Sequence, residues 1–112
     1  MALKTRKSNG VTILEPIGNY TFGKKDFNLK TVFTQELGSG AKNFVINLSG
    51  INKMDSSGLG ELVLIHQMVS QKRGVLKLCD LSKEIGALIK MTNLNIKFEV
   101  FQTESRAVSS FR

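Results

Sequence analysis

The fold is decided by the stretch Met54-Asp55-Ser56-Ser57-Gly58-Leu59-Gly60. The apolar run Phe44–Leu48 lies before it and predicts a buried strand, whereas the apolar periodicity that begins at Leu59 predicts a helix. Between the two stand one acid, two hydroxyls and two glycines, which are residue types that begin helices. The free N–H groups of a helix start and the positive end of its dipole favour an anion. We therefore expect an exposed serine beside a ready phosphate site.

The segment that follows this stretch has a single apolar stripe, which is typical of a helix packed on a sheet. Its inward positions are Leu59, Leu62, Val63, His66 and Val69, widened by Leu64, Ile65 and Met68. Gln71–Gly74 ends the helix. Further along we predict a strand Val75–Cys79, a helix capped by Ser82, a strand Ile96–Phe101 and a terminal helix within Thr103–Phe111.

The N-terminal third has weaker patterns. Met1–Asn9 is short and basic, and it is either a loosely ordered end or an extension of an edge strand. Val11–Glu15 and Ile17–Phe22 are rich in β-forming residues on either side of Pro16, so they form two antiparallel strands joined tightly or one bent strand. Asp26 then caps a helix with inward residues Leu29, Val32, Phe33 and Leu37, and Gly38 ends it.

The order of these elements indicates the fold class. Strands alternate with helices from Phe44 onward, which requires right-handed crossovers and parallel pairing. We therefore predict an α/β fold, with a mixed, mostly parallel sheet of four to five strands packed with α-helices and an antiparallel N-terminal edge.

Composition limits the possible classes of protein. The chain has 112 residues, enough for one domain with its own core, and a single cysteine, Cys79, which excludes an internal disulfide. We expect no secretory signal, because no apolar segment follows the basic N-terminus, and no apolar run approaches the ~20 residues of a membrane span. The net charge is +7, yet basic residues are scattered and lack the aromatic partners that stack bases. We expect no direct contact with nucleic acid, and solvated surface charge or steering of an acidic partner instead.

Enzymatic chemistry has little support in the sequence. His66, the only histidine, lies nine residues beyond Ser57 on the same predicted helix, about 13 Å along the axis, so it cannot activate that hydroxyl. One His and one Cys on different elements do not make a metal site, and no dinucleotide fingerprint follows the first strand. We expect no catalytic residues, no metal and no cofactor.

Two interpretations of the serines remain open on spacing alone. Ser56 and Ser57 could simply cap the helix, although neither has Glu or Gln three residues later to complete a capping box. Alternatively, the serines are exposed for modification. Gly58 and Gly60 in the first turns each cost about 1 kcal/mol of helix stability, which suggests a surface that another protein's backbone approaches closely.

The runs Val45–Gly50 and Met54–Gly60 together resemble the signature of the STAS domain, and more narrowly that of the small bacterial anti-sigma factor antagonists. The resemblance extends from about Val11 to Val108 and implies a single STAS domain over residues 1–112. It implies that Ser57, the second serine of Asp-Ser-Ser-Gly, is the phosphate acceptor. Asp55, Ser56, Gly58 and Gly60 would share the partner-binding surface with it.

The resemblance also implies partners. An anti-sigma factor that is itself a serine kinase binds the unphosphorylated protein and so releases a sigma factor. Phosphorylation ends that interaction, and a serine phosphatase restores it. The chain would be a cytoplasmic monomer or weak dimer. An alternative of another class is a STAS subunit of a membrane transport complex that binds a cytoplasmic ATPase without a phosphate switch.

Overall fold

A computed structural model of the chain describes residues 2–94 and 97–111. The strands are β1 Leu3–Ser8, β2 Val11–Pro16, β3 Gly18–Thr21, β4 Lys24–Lys25, β5 Asn43–Asn47, β6 Ile51–Met54, β7 Val75–Cys79 and β8 Glu99–Phe101. The helices are α1 Leu29–Gly38, α2 Ser56–Gln71, α3 Lys83–Met91 and α4 Glu104–Ser109. Ile96, predicted to begin the last strand, lies outside the described residues.

The larger sheet has five strands in the order β1-β2-β5-β7-β8. Only β1 and β2 pair antiparallel, and the pairs β2–β5, β5–β7 and β7–β8 are all parallel. The predicted α/β class and the mostly parallel sheet are therefore confirmed. Strand β5 is central and its Phe44, Val45 and Ile46 are all fully buried, which explains its unbroken apolar sequence.

Both faces of this sheet are covered. Phe44 and Ile46 belong to the main core, together with Leu29 and Phe33 of α1 and the buried side chains of α2 and α3. Val45 points the other way, since successive strand residues alternate between faces, and it packs with Ala107 of α4. Three helices therefore lie on one side and the short helix α4 closes the other.

A second, three-stranded sheet with the order β4-β3-β6 was not predicted. Strand β6 has the sequence Ile-Asn-Lys-Met, and its two central residues are exposed, so it lacks an apolar run. Strand β3 pairs parallel with β6 and antiparallel with the two-residue strand β4. The fully buried Tyr20 of β3 anchors this small sheet in the core.

The expected antiparallel pairing between Val11–Glu15 and Ile17–Phe22 is wrong. The two segments belong to different sheets, and β2 takes β1 as its antiparallel partner instead. The alternative of one bent strand is nearer to the structure. The chain continues from the end of β2 at Pro16 into β3 at Gly18, and it bends at Gly18, whose φ is +119°. That φ lies in the left-handed region that favours glycine.

The N-terminal segment is an ordered edge strand over Leu3–Ser8, so the alternative of a loosely ordered end is wrong there. The strand is mostly exposed and has no apolar pattern. It is held by its register with β2 and by Arg6, which donates two hydrogen bonds of 2.6 Å to the Glu104 carboxylate. The contact with Glu104 lies too far along the chain to leave a local signal, whereas the pairing with β2 is a hairpin whose two-residue turn, Asn9-Gly10, has positive φ at both positions.

Of the two predicted helix caps, one is confirmed and the other lies two residues further along the chain. Ser82 caps α3 as predicted, its hydroxyl accepting from the Ile85 N–H at 3.2 Å. Helix α1 is capped by Asn28 rather than Asp26. The Asp26 carboxylate instead accepts from the backbone N–H of Asn19 at 2.8 Å and so fastens the small sheet. Gly38 is the last residue of α1, and Gly40 takes the left-handed conformation expected of Gly38.

Helix α2 packs on the sheet through the predicted stripe. Leu59, Leu62, Ile65 and Val69 are buried, whereas Val63 and His66 are only partly buried. The His66 ring meets the ring of Phe98 edge-on, with 5.2 Å between centroids. Burial and the nearby Lys97 lower the pKa of His66, which favours a neutral packing role.

Replacing Leu62 by Ala should cost about 2–5 kcal/mol of unfolding free energy, because Leu62 is fully buried. Leu64 on the same helix is 50% exposed, so Leu64→Ala should cost less than about 0.5 kcal/mol. Urea titrations of both variants test the assignment. Equal losses would contradict it.

Candidate functional site

The start of helix α2 is capped by Asp55, the residue before both serines. One carboxylate oxygen of Asp55 accepts hydrogen bonds from the N–H groups of Ser57 at 3.0 Å and Gly58 at 3.2 Å. The backbone of Asp55 is extended, with φ −116° and ψ −173°, as N-cap residues usually are. The interpretation that the serines cap the helix is therefore wrong, since Ser56 and Ser57 are its first two residues.

Asp55 also ties the helix start to the turn between β3 and β4. Its second carboxylate oxygen accepts from the backbone N–H of Phe22 at 2.9 Å, and its own N–H lies 3.4 Å from the Tyr20 carbonyl oxygen. The hydrogen bond from Phe22, followed by those from Gly58 and Ser57, lowers the pKa of Asp55. Since the folded pKa is depressed, the stabilisation is present above the ordinary aspartate value and is lost as the pH falls through the folded pKa.

The two glycines of the motif have different environments. Gly58 is buried, and a Cβ there would overlap the carbonyl oxygen of Tyr20. The close approach inferred from this glycine is thus made within the chain, and Gly58 offers no surface to a partner. Gly60 is exposed, and a Cβ there would meet nothing within 4 Å. Among the described residues, therefore, no close contact requires a glycine at position 60.

A buried tyrosine completes the connection between helix and small sheet. The Tyr20 hydroxyl donates to Glu61 of α2 at 2.5 Å, and Lys25 of β4 donates to the same carboxylate at 2.9 Å. Burial raises the pKa of Glu61, but the hydrogen bonds from Tyr20 and Lys25 outweigh it, so the pKa lies below its ordinary value. Burial and the Glu61 carboxylate raise the pKa of Tyr20, which keeps the phenol protonated.

The serine side chains remain available beside this framework. Ser56 is exposed and Ser57 is partly exposed. Neither hydroxyl makes a hydrogen bond to any residue in the described ranges, although the Ser57 N–H is engaged by Asp55. An unbonded hydroxyl at the second position of a 16-residue helix can accept a phosphoryl group without breaking an existing contact.

Other reactive residues lie outside this site. Cys79 is fully buried, and burial raises the pKa of its thiol, so it remains a neutral thiol. Over residues 2–94 and 97–111, no cluster of three or more His, Cys, Asp or Glu side chains could hold a metal ion. Within the same ranges no helix is long and apolar enough to cross a membrane.

The sequence singled out the acid, the serines and the two glycines but not Phe22, Tyr20 or Glu61. Phe22 lies 33 positions from its partner Asp55, and Tyr20 lies 41 positions from its partner Glu61. Glu61 follows Ser57 by four residues, one too many to complete a capping box. Its pairing with a buried tyrosine had no local signal in the sequence.

The sequence of the chain is similar to a known domain family and to two named relatives. The family model described as STAS domain matches residues 2–107. An anti-sigma F factor antagonist of Paenibacillus polymyxa is 28% identical over 68 residues, which cover 61% of this chain and 58% of that relative. A Thermotoga maritima protein provisionally named an anti-sigma factor antagonist is 26% identical over 102 residues, covering 91% of this chain and 90% of the relative.

Solved structures with similar folds carry related descriptions. A crystal structure of a Thermotoga maritima protein, also provisionally described as an anti-sigma factor antagonist, has a TM-score of 0.87 at 24% identity. The match covers 96% of this chain and 92% of that one. The Bacillus cell fate determinant SpoIIAA in its phosphorylated form has a TM-score of 0.74 at 17% identity, covering 99% of this chain and 100% of SpoIIAA. At these identities the likeness shows the fold.

Two substitutions of Asp55 should separate its two roles. Asp55→Ser keeps a cap for the helix but is too short to hold the Phe22 N–H as well. We expect faster amide exchange at Phe22 and only a small drop in melting temperature. Asp55→Ala should speed exchange at Ser57 and Gly58 too and lower the melting temperature further. Ser82→Ala, which removes the cap of α3, is the control. Unchanged amide exchange at Phe22 in both Asp55 variants would contradict the hydrogen bond between the Phe22 N–H and the Asp55 carboxylate.

Alanine at the two glycines should have opposite effects on stability. Gly58→Ala forces the backbone of Tyr20 away and should cost about 1–3 kcal/mol, as overpacking does. Gly60→Ala replaces an exposed helical glycine in open space and should gain up to about 1 kcal/mol. Chemical unfolding of both proteins measures the difference, and a loss of stability in Gly60→Ala would show that this residue has an unrecognised internal role.

Proposed function

Because the chain belongs to the STAS domain family, we propose that it is an anti-sigma factor antagonist switched by phosphorylation of Ser57. The unphosphorylated protein binds an anti-sigma factor that is also a serine kinase, and so releases a sigma factor. The observation that carries the proposal is the Ser57 hydroxyl, which is partly exposed and unbonded among the described residues at the start of a helix capped by its neighbour.

The partner-facing surface in this proposal consists of Asp55, Ser56, Ser57 and Gly60. Ser56 and Gly60 are exposed, and Asp55 and Ser57 are partly exposed. Gly60 supports the proposal because it lowers helix stability without any contact inside the chain to require it. An unhindered backbone at that position would let the partner pack closely over the first turns of α2.

The kinase reaction transfers the γ-phosphoryl group of ATP to Ser57. The Ser57 oxygen forms the new bond to phosphorus, the bond to the leaving ADP breaks, and the hydroxyl proton is released. The product adds about −1.5 to −2 charge near the positive end of α2. The helix dipole favours this by about 0.3–1 kcal/mol, while the nearby Asp55 carboxylate opposes it. These opposing effects are small, so the phosphate should leave the fold intact.

The cost of phosphorylation falls on the complex instead. A phosphate enclosed in a close interface loses its water and crowds a partner packed over Gly60. A penalty of about 3 kcal/mol weakens binding more than a hundredfold. A serine phosphatase that removes the group would restore binding.

A titration with the anti-sigma kinase should divide three forms of the protein into two groups. Phosphorylated wild type and Ser57→Asp should lose binding. Ser57→Ala should bind like unmodified wild type without being phosphorylated at that position, and all three should keep the melting temperature within a few degrees. Ser56→Ala is the matched control and should still be phosphorylated once. The probes are the anti-sigma serine kinases of the source genome, purified individually and supplied with Mg-ATP.

The opposite results would remove the proposal. If an active kinase binds wild type and its phosphorylated form equally well, no switch operates at Ser57. Binding to a transport ATPase with no effect of phosphate would instead favour the structural subunit of a membrane transport complex.

A further inference from the structure

Phe22, whose backbone is hydrogen-bonded to the start of α2, has a side chain that the described residues leave almost uncovered. Phe22 is 86% exposed, the highest value among the large apolar side chains in the described ranges. It stands in the two-residue turn between β3 and β4, where Gly23 has a φ of +82° and lets the chain reverse tightly. The turn uses the backbone N–H of Phe22 and leaves the ring exposed, so the fold does not require a phenylalanine at this position.

The turn that carries Phe22 is held rigidly against the helix start. The Phe22 N–H donates to the Asp55 carboxylate at 2.9 Å. On either side of the turn, the buried Tyr20 and the Lys25 ammonium both donate to Glu61 of α2. Because Asp55 also caps the helix that begins with Ser56 and Ser57, the position of the Phe22 backbone is fixed relative to the phosphate acceptor. A turn whose backbone is already held in place loses less conformational entropy on binding.

Two lysines without ion-pair partners among the described residues flank this turn, whereas the nearby Asp55 and Asp26 carboxylates accept backbone hydrogen bonds. Residues 19 and 21 lie on the opposite face of β3 from the buried Tyr20, since strand residues alternate. The register places Lys53 beside Asn19 and Lys24 beside Thr21, so both lysines lie on this outer face. Both are exposed, and neither forms an ion pair with a residue in the ranges that the structure describes. The whole chain carries +7 as well, so a second copy would be repelled.

We propose that Phe22 is the anchor residue of the anti-sigma interface and that it inserts into an apolar pocket rimmed by carboxylates on the kinase. This inference rests on the proposed function and names the chemistry of its partner. Aromatic residues dominate binding energy when they fill a desolvated pocket, and Phe22 is an exposed aromatic residue whose backbone is hydrogen-bonded to Asp55, the cap of the helix that begins with Ser56 and Ser57. Lys24 and Lys53 steer the acidic rim toward the site, which mainly affects the association rate.

The test compares Phe22→Ala with Met91→Ala in titrations against the anti-sigma kinase that binds wild type. Met91 is 79% exposed on α3 and serves as the matched apolar control. Phe22→Ala should weaken binding at least thirtyfold, about 2 kcal/mol at about 1.4 kcal/mol per tenfold change. Met91→Ala should bind within threefold of wild type. Both should keep the wild-type melting temperature, since neither side chain is buried.

A double variant with Lys24→Glu and Lys53→Glu should slow association more than it speeds dissociation, and this difference should shrink as salt is added. Equal binding by Phe22→Ala and wild type, or equal loss in Phe22→Ala and Met91→Ala, would overturn the inference. In either case wild type still binds and the proposed function stands. If wild type binds none of the kinases, the proposed function fails and the anchor role fails with it.

Discussion

The carboxylate of Asp55 connects the two parts of the candidate site. One oxygen accepts hydrogen bonds from the Ser57 and Gly58 N–H groups at the start of α2. The other accepts a hydrogen bond from the Phe22 N–H in the turn of the small sheet. Without it, the two parts would still be joined by the pairing of β3 with β6, by the packing of Tyr20 against Gly58 and by the hydrogen bonds of Tyr20 and Lys25 to Glu61, but the turn itself would lose its hydrogen bond to the helix start. The proposed phosphate acceptor, Ser57, therefore lies on a framework of hydrogen bonds that the chain makes by itself.

Giving the cap to Asp55 leaves the serines free for another role. Modification of a capping serine would esterify the oxygen that makes the cap hydrogen bond, which is worth about 1 kcal/mol. Ser57 instead uses only its backbone N–H in the cap. Under the proposed function, this arrangement lets a phosphate at Ser57 alter binding with little effect on stability.

Segments with strong local patterns were predictable and those fixed by distant contacts were not. The buried strand Asn43–Asn47, the helix Ser56–Gln71 and the strand Val75–Cys79 have continuous or periodic apolar sequences, and Ser82 is a strong cap. The strand Ile51–Met54 is half polar, and it forms because it pairs with β3, whose Tyr20 is buried in the core. The sequence of the strand alone does not indicate this pairing. Likewise, Gly58 was predicted to admit another protein's backbone, whereas the backbone that approaches it is that of Tyr20 in the same chain, which the sequence could not show.

The central claim is that phosphate at Ser57 changes what the surface binds while the framework beneath it persists. Amide hydrogen exchange on the fully phosphorylated protein, measured residue by residue, tests this directly. The account predicts that protection at Ser57, Gly58 and Phe22 stays within a few-fold of the unmodified protein. A large loss of protection at these three amides would show that the phosphate displaces the Asp55 carboxylate, and that the switch acts by releasing the framework instead.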